Sequence, residues 1–557
     1  MKENDEVRIG VFVCRCGSNI AGFVDTAEVA RYAATLPNVV FVRENLYTCA
    51  ESGTSEIMRG IREQGLNRVV VASCTPRTHE PTFRATCREA GLNPFLFEFV
   101  NIREHCSWVH QTERDAATAK AKDLVRMGVA RAALLEPLEE IKVKIEPRAL
   151  VVGGGITGLT AALAIARQGF HVTLVEKEAE LGGLLKRIHK LYPGNIDPEA
   201  LLKKTIEAVA AQPRIRVLTG SRLVETGGFV GNFEVRIEGR GEVFRETVGA
   251  IVVATGGEVL RPDGLYGYDG TNVITHLELE ERLKKGLAPS PGNVVMIQCA
   301  GARIPERKYC SRVCCMTAVK NALLLKEKNP GANVYILFRE MQTYGDVFEA
   351  DFRRAREAGI VFVRYSLEKP PVVESGRVRV YHAQLGDELE IGADLVVLST
   401  PMVPSGTAQG LAKILRVPLD ENGFFLEAHV KLRPLDFSTD GIYLAGCARF
   451  PTDVGQCVSQ GYGAASRALI PLSAGEVAVE PVVAVVATER CIACGLCEES
   501  CGSQAISVQE TPGEGRKARV IPASCKGCGT CAAGCPARAI SMLHYTDAQI
   551  AALILSY

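Results

Sequence analysis

Several things are missing from this chain of 557 residues. There is no excess of charge of either sign, because 64 Lys and Arg offset 64 Asp and Glu. That argues against a general nucleic-acid binder, which carries a basic surplus. No apolar run reaches the ~18 residues of a membrane span. Residues 1–7 are charged and polar where a secretory signal would be basic and then apolar. There is no low-complexity tract. With 47% hydrophobic and 23% charged residues, disorder is excluded for most of the chain. The reading is a soluble cytoplasmic protein, and at ~150 residues per domain the length predicts three or four domains.

Cysteine is what is abundant: there are 20. Cytosolic thiols stay reduced, so dense cysteines there point to metal or redox sites more than to disulfides. They cluster. Six precede residue 107, four lie at 299–315, two at 447 and 457, and eight at 491–535, with none from 107 to 298.

Apolar runs at 7–13, 39–42, 68–72 and 95–100 read as buried strands separated by helical stretches at 55–63 and 82–90. This predicts an N-terminal α/β domain over 1–140, followed by a helix at 113–133 and a linker at 136–147. A second α/β region runs over 148–472. It has strand–helix units at 148–180 and 293–340 and β-rich alternation at 213–253, as expected of a two-lobed dinucleotide-binding flavoprotein. Residues 473–486 read as a linker, and 487–557 as a compact cysteine-rich α+β domain.

In that last domain Cys491, Cys494, Cys497 and Cys501 form one C-x2-C-x2-C-x3-C run. Cys525, Cys528, Cys531 and Cys535, followed by Pro536, form a second. In this pattern three thiolates of a run hold one cube, and the fourth cysteine ligates the other cluster. Cys491, Cys494, Cys497 and Cys535 are therefore expected to hold one [4Fe–4S] cluster, and Cys501, Cys525, Cys528 and Cys531 the second. Eight cysteines at these spacings do not partition into two zinc ribbons. The module resembles the bacterial two-cluster ferredoxins, apart from Gly502 where the first run would carry proline.

Residues 149–152 read as a strand. Gly153, Gly154, Gly155, Ile156, Thr157 and Gly158 follow, then a helix and a second strand ending at Glu176 and Lys177. Gly153 suits the tight turn, Gly155 lets a pyrophosphate approach the backbone, and Gly158 lets helix and strand pack closely. Glu176 can accept from ribose hydroxyls. Gly182 and Gly183 follow the acidic strand, and Ala254, Thr255 and Gly256 end another, as in FAD-binding reductases. Residues 439–446, ending at Gly446, resemble their terminal flavin motif. Cys447 stands where that motif has Asp, and either approaches the isoalloxazine or packs in the core. FAD is thus the expected cofactor.

The second lobe lacks the glycine fingerprint for NAD(P)H. Its turn carries Cys299, Cys310, Cys314 and Cys315 instead, enough for a third [4Fe–4S] cluster; a redox disulfide or inert packing are the alternatives. No C-x-x-C pair lies in the flavin lobes, which argues against disulfide reduction by this chain. In the N-terminal domain Cys14, Cys16, Cys49, Cys74 and Cys106 fall at or after strand ends, where ligands of open α/β sheets gather. A fourth cluster can draw on these five, without a choice among them. Cys87 reads as packed in a helix, residues 74–80 as a polar surface loop, and Trp108 as a core or interface residue. His79 is a ligand or proton donor, or else a capping or surface residue.

The ordered set of motifs at 13–17 (VCRCG), 73–83 (SCTPRTHEPTF), 91–97 (GLNPFLF) and 101–110 (NIREHCSWVH) joins the flavin motif, the 299–315 cysteines and the terminal ferredoxin. Together they resemble the HdrA family, the A-type subunits of heterodisulfide reductases, over nearly the whole chain. The resemblance implies a thioredoxin-reductase-like FAD domain with three [4Fe–4S] clusters, or four with an N-terminal one, in a cytoplasmic complex. It implies partners of the heterodisulfide reductase B and C type and ferredoxin. A hydrogenase, a formate dehydrogenase or an NADH-oxidising module would supply electrons, and the family can form dimers of complexes. It also implies electron bifurcation at the flavin. Methanogen members insert a further ferredoxin domain whose cysteines are absent here, so one electron exit of their scheme is missing. Two rival readings are an NAD(P)H-dependent oxidoreductase of the glutamate synthase small-subunit type and an assembly scaffold with an N-terminal docking domain. The lost second fingerprint predicts that the chain alone does not oxidise NADH rapidly.

Overall fold

The structure is a computed structural model that describes residues 6–287, 292–431 and 433–557. Most of the polar N-terminal stretch, residues 1–5, lies outside the described residues. The chain forms two compact units. One joins the residues up to Val143 to Ala478–Tyr557, and the other is Lys144–Val477.

In the first unit, Ile9–Cys14, Val39–Asn45, Arg68–Ser73 and Phe97–Asn101 form a four-stranded parallel sheet. Ile9–Cys14 and Arg68–Ser73 are its two central strands and are buried along their whole length. Buried strands of a parallel sheet read as continuous apolar runs, which is why these two were legible. The expected loop at 74–80 is instead the start of a helix, Pro76–Glu89. Two prolines and several polar side chains hide it. Pro76 suits the first turn, where no N–H partner is needed, and buried Phe83 and Cys87 anchor the helix to the core. Trp108 is not a core residue: it is 47% exposed, with the Arg103 guanidinium 4.6 Å from its ring.

The cysteine-rich segment belongs to this same unit. Its two antiparallel ribbons, Ala484–Val486 with Ile540–Met542 and Ile506–Thr511 with Gly515–Val520, frame the cysteine loops. A terminal helix, Asp547–Leu555, is capped by Thr546 and Gln549 and packs on Arg114–Ala132. Gln549 donates to the Leu134 carbonyl at 2.8 Å, Arg131 donates to the His544 carbonyl at 2.8 Å, and the His544 Nε2 lies 2.7 Å from the Glu136 carbonyl.

The second unit repeats one plan twice. The first lobe has a five-stranded parallel sheet in the order Ile442–Leu444, Ala250–Val253, Arg148–Val152, His171–Glu176, Ile215–Thr219. The second has Val273–Thr275, Leu395–Leu398, Asn293–Ile297, Asn333–Phe338, Val361–Arg364. Each lobe adds a three-stranded antiparallel sheet. Among the described residues no helix is long and apolar enough to cross a membrane.

Candidate functional site

In the first lobe the turn after Arg148–Val152 consists of residues 153–155, and the helix Ile156–Arg167 starts at once. The glycines are there for different reasons. A side chain on Gly158 would place its Cβ 1.8 Å from the Gly153 carbonyl oxygen, and Gly153 itself has φ +114°. Both are closed by sterics. Gly155, by contrast, has nothing within 4 Å of the position a Cβ would take. That open space lies at the N-terminus of the helix, where free N–H groups and the dipole favour a phosphate.

Gly153, Gly155, Ile156, Thr157, Glu176, Lys177, Gly182, Gly183, Ala254, Thr255, Gly256 and Cys447 all line one cavity of about 540 Å³, within the usual range of cofactor sites. Glu176 is almost fully buried, and its two oxygens accept from the Gly154 N–H at 2.6 Å and the Glu178 N–H at 2.8 Å. It therefore shapes the turn in addition to facing the cavity. The Thr255 hydroxyl is buried in the wall with no hydrogen-bond partner among the described residues; a bound dinucleotide would supply one. Gly446 has φ +71° and packs against Thr157, where any Cβ would come within 2.5 Å of the hydroxyl. An open phosphate cradle, a buried carboxylate at a strand end and an unpaired hydroxyl fit FAD.

Motif reading missed part of this wall. Lys320 and Glu280 also line it and form an ion pair that is 4% and 2% exposed. The Lys320 Nζ also donates to the Lys190 carbonyl at 2.8 Å, and Glu280 accepts from the His189 N–H at 2.9 Å. Burial lowers the Lys320 pKa against the opposing pull of Glu280. Charges this deep persist only when paired and hydrogen-bonded. Neither residue belongs to a local motif, and 40 positions separate them.

The second lobe builds its corresponding turn from residues 298–313, between Asn293–Ile297 and the helix Cys314–Lys328. The structure brings Cys299, Cys310, Cys314 and Cys315 into mutual electrostatic range. Burial, with the neighbouring cysteines adding to it, pushes the Cys314 thiol far up and the Cys315 thiol to about 12. Two buried thiols, Cys314 and Cys315, whose ionisation the neighbouring cysteines oppose suit cluster ligands, because metal coordination removes their protons. Cys299 is held at φ +58°, a conformation non-glycine residues rarely adopt. The only glycine of this turn, Gly301, faces Leu260 and Leu265, so the turn offers no open cradle of the Gly155 kind.

In the terminal module Cys491, Cys494, Cys497 and Cys535 line one recess, and Cys501, Cys525, Cys528 and Cys531 another. Each quartet takes three thiols from one run and one from the other. Backbone N–H groups of Ala518, Ala505 and Ala539 donate to the sulfurs of Cys491, Cys501 and Cys535 at 3.2–3.4 Å. Such donors to sulfur are one of the levers on cluster potential.

The N-terminal cysteines divide. Cys14, Cys16, Cys49 and Cys74 lie within electrostatic range of one another at the carboxyl end of the sheet, beside Arg103. The Thr48 N–H donates to the Cys14 sulfur at 3.4 Å. Burial raises Cys74 to about 11, against a lowering by Arg103. Cys106 stands apart. It is fully buried in the apolar core, its pKa is raised to about 11 by burial, and none of the described cysteines perturbs it. His79 lies in the helix Pro76–Glu89, its pKa lowered by burial and then by Arg103. Among the described residues no three His, Cys, Asp or Glu side chains converge tightly enough for a single metal ion; the ferredoxin thiols line two recesses.

One further thiol was not singled out from sequence. Cys457, in the first turn of the helix Val454–Ala474, has its sulfur 3.8 Å from that of Cys447. Both residues line the flavin cavity. A search for C-x-x-C does not find this pair, because the two residues are ten positions apart.

Residues 147–461 match the pyridine nucleotide-disulphide oxidoreductase family, and residues 490–539 match the 4Fe-4S dicluster domain. The chain is thus an oxidoreductase of the iron–sulfur flavoprotein class, with FAD and [4Fe–4S] clusters as cofactors. The second A-type iron-sulfur subunit of the CoB–CoM heterodisulfide reductase of Methanopyrus kandleri is 41% identical over 607 aligned positions, covering 92% of each chain. The A-type subunit of the H2:CoB–CoM heterodisulfide,ferredoxin reductase of Methanothermobacter marburgensis is 39% identical over 603, covering 91% of each. Among solved structures, Lactococcus lactis thioredoxin reductase is matched over its whole length and 59% of this chain, at 18% identity and a TM-score of 0.42. The chain belongs to the HdrA family of heterodisulfide reductases. The 607 aligned positions exceed its 557 residues, so the Methanopyrus relative carries residues with no counterpart here.

Proposed function

We propose that this chain distributes electrons between an FAD in the first lobe and four [4Fe–4S] clusters. The clusters are held by the 299–315 quartet, by the two ferredoxin quartets and by Cys14, Cys16, Cys49 and Cys74. Bound FAD supplies exchange between two-electron and one-electron chemistry; the protein supplies position and electrostatics. One observation carries the reading. The helix that starts with Cys314 and Cys315 also sends Thr317 and Lys320 into the wall of the flavin cavity. Val313, immediately before the thiols, lines that wall too, and its carbonyl accepts from the Tyr192 hydroxyl at 3.3 Å. One turn of helix thus links the flavin site to the 299–315 cluster site. The Lys320–Glu280 pair keeps a proton-bearing cation in that wall without exposing it to water.

In this reading the chain works in the cytoplasm within a heterodisulfide-reductase-type complex. Its partners are of the B and C type and ferredoxin, and a hydrogenase, formate dehydrogenase or NADH-oxidising module feeds it electrons. Bifurcation at the flavin belongs to the same proposal. The rival NAD(P)H oxidoreductase is disfavoured by the second lobe, whose turn holds thiols in place of a phosphate cradle. The test is iron, sulfide and flavin content of anaerobically purified protein, with EPR of the reduced form. About sixteen irons per FAD are expected for four cubes. About twelve would leave the N-terminal thiols without a cluster, and about eight would refute the 299–315 site.

A further inference from the structure

The cavity wall contains a pair of thiols that no cluster set uses. Cys447 follows the strand Ile442–Leu444 in a short 3-10 turn, and Cys457 lies in the first turn of the helix Val454–Ala474, whose N-cap is Asp453. Their sulfurs are 3.8 Å apart. A disulfide bond is ~2.05 Å long, so closure needs the sulfurs to approach by less than ~2 Å. Cys447 is half-buried and Cys457 buried, both against the space that FAD would fill. The Cys447 sulfur also lies 3.4 Å from the Thr452 carbonyl.

We propose that Cys447 and Cys457 are a redox-active dithiol that exchanges an electron pair with the bound flavin. The inference rests on the assignment of this cavity to FAD. The two thiols act as a unit. The Cys447 and Cys457 thiols share a hydrogen bond, and that pairing lowers the Cys457 pKa and raises that of Cys447, with burial adding to the rise. The Thr157 hydroxyl, beside the phosphate cradle, lowers Cys457 further. The first turn of a helix favours a thiolate in the same direction. The step balances: two thiols form an S–S bond and release two electrons and two protons, and oxidised flavin takes up two electrons and two protons. In reverse, reduced flavin reopens the bond. The pair thus adds a two-electron store beside a flavin whose other neighbours are one-electron clusters. Inert packing would account for two small buried side chains, but not for two thiols hydrogen-bonded to each other in the lining of the cofactor cavity.

The sequence makes the test clean. Trypsin cleaves after Arg449, which separates Cys447, in the peptide 432–449, from Cys457, in the peptide 450–467; neither peptide holds another cysteine. Full-length protein is fully reduced, then reoxidised anaerobically with an outer-sphere mediator dye, either loaded with FAD or stripped of it. Samples are quenched with an alkylating agent in denaturant and the peptides are weighed. The expected result is that the two peptides are joined by a disulfide in the oxidised flavin-loaded protein, and alkylated separately in the reduced protein and in the flavin-stripped sample. Alkylation of both cysteines in oxidised, flavin-loaded protein would overturn the proposal, and so would equal linkage with and without flavin. Failure to load FAD at all would instead refute the flavin site. Cys457→Ser and Cys447→Ser, made singly, should each lower by two the electrons per flavin taken up in a reductive titration. An unchanged uptake in protein that still holds flavin would also overturn the pair.

Discussion

The two lobes of Lys144–Val477 share a plan and differ at one turn. Each has a five-stranded parallel sheet, an antiparallel three-stranded addition and a helix after the strand that starts the dinucleotide motif. In the first lobe that turn is three residues long, 153–155, and leaves an open space above Gly155. In the second it is stretched to 298–313 and carries two thiols, Cys299 and Cys310, with Cys314 and Cys315 opening the helix that follows. The same end of a sheet thus leaves room for an anion at backbone N–H groups in one lobe and gathers four cysteines in the other. Duplication of a fold did not bring duplication of a site, because the site lives in the turn and not in the sheet.

This contrast can be broken from either side. The largest effect is expected from Cys315→Ser, which removes a thiolate that no neighbour replaces. About four irons per chain should be lost while flavin stays bound, as read by iron and flavin assays on the same sample. Loss of both together would mean that the lobes are not separable sites. A smaller effect is expected from Gly155→Val. Its φ of −77° suits any residue and an added Cβ meets nothing within 4 Å, so the chain should fold with its melting temperature unchanged. The side chain would occupy the phosphate position, and a misfit of about 1–3 kcal/mol corresponds to a roughly 5- to 150-fold weaker FAD affinity in a flavin-binding titration. Unaltered affinity would show that the cofactor does not lie against this turn. The smallest effect is expected from Thr255→Val. It removes a hydroxyl that has no hydrogen-bond partner among the described residues. A hydrogen bond to the cofactor is worth about 1 kcal/mol, so the same titration should show roughly fivefold weaker binding. Unchanged or tighter binding would place that hydroxyl away from the flavin.

What could be read from sequence was what is built locally. The ferredoxin quartets come from two runs with ligand spacings of two and three residues. The glycine cradle comes from six consecutive residues between a strand and a helix. The 299–315 thiols lie within one turn and the helix that follows. In each case the chemistry constrains neighbours along the chain, so spacing alone carries the signal. The central strands of the N-terminal sheet were legible because parallel strands are apolar throughout. The start of the helix Pro76–Glu89 was not, because its first turn is proline and polar side chains while its anchors, Phe83 and Cys87, come later.

Tertiary structure decided whatever depends on residues far apart in the chain. It separated Cys106, which the core absorbs, from Cys14, Cys16, Cys49 and Cys74, although all five follow strands. It paired Lys320 with Glu280 and Cys447 with Cys457 in the wall of one cavity. It also joined the N-terminal sheet and the ferredoxin module into a single unit through Arg131, His544 and Gln549, more than 400 residues apart in sequence. The physical reason is common to all three. Burial and the approach of charges are set by which surfaces the fold closes over, and no local spacing records that.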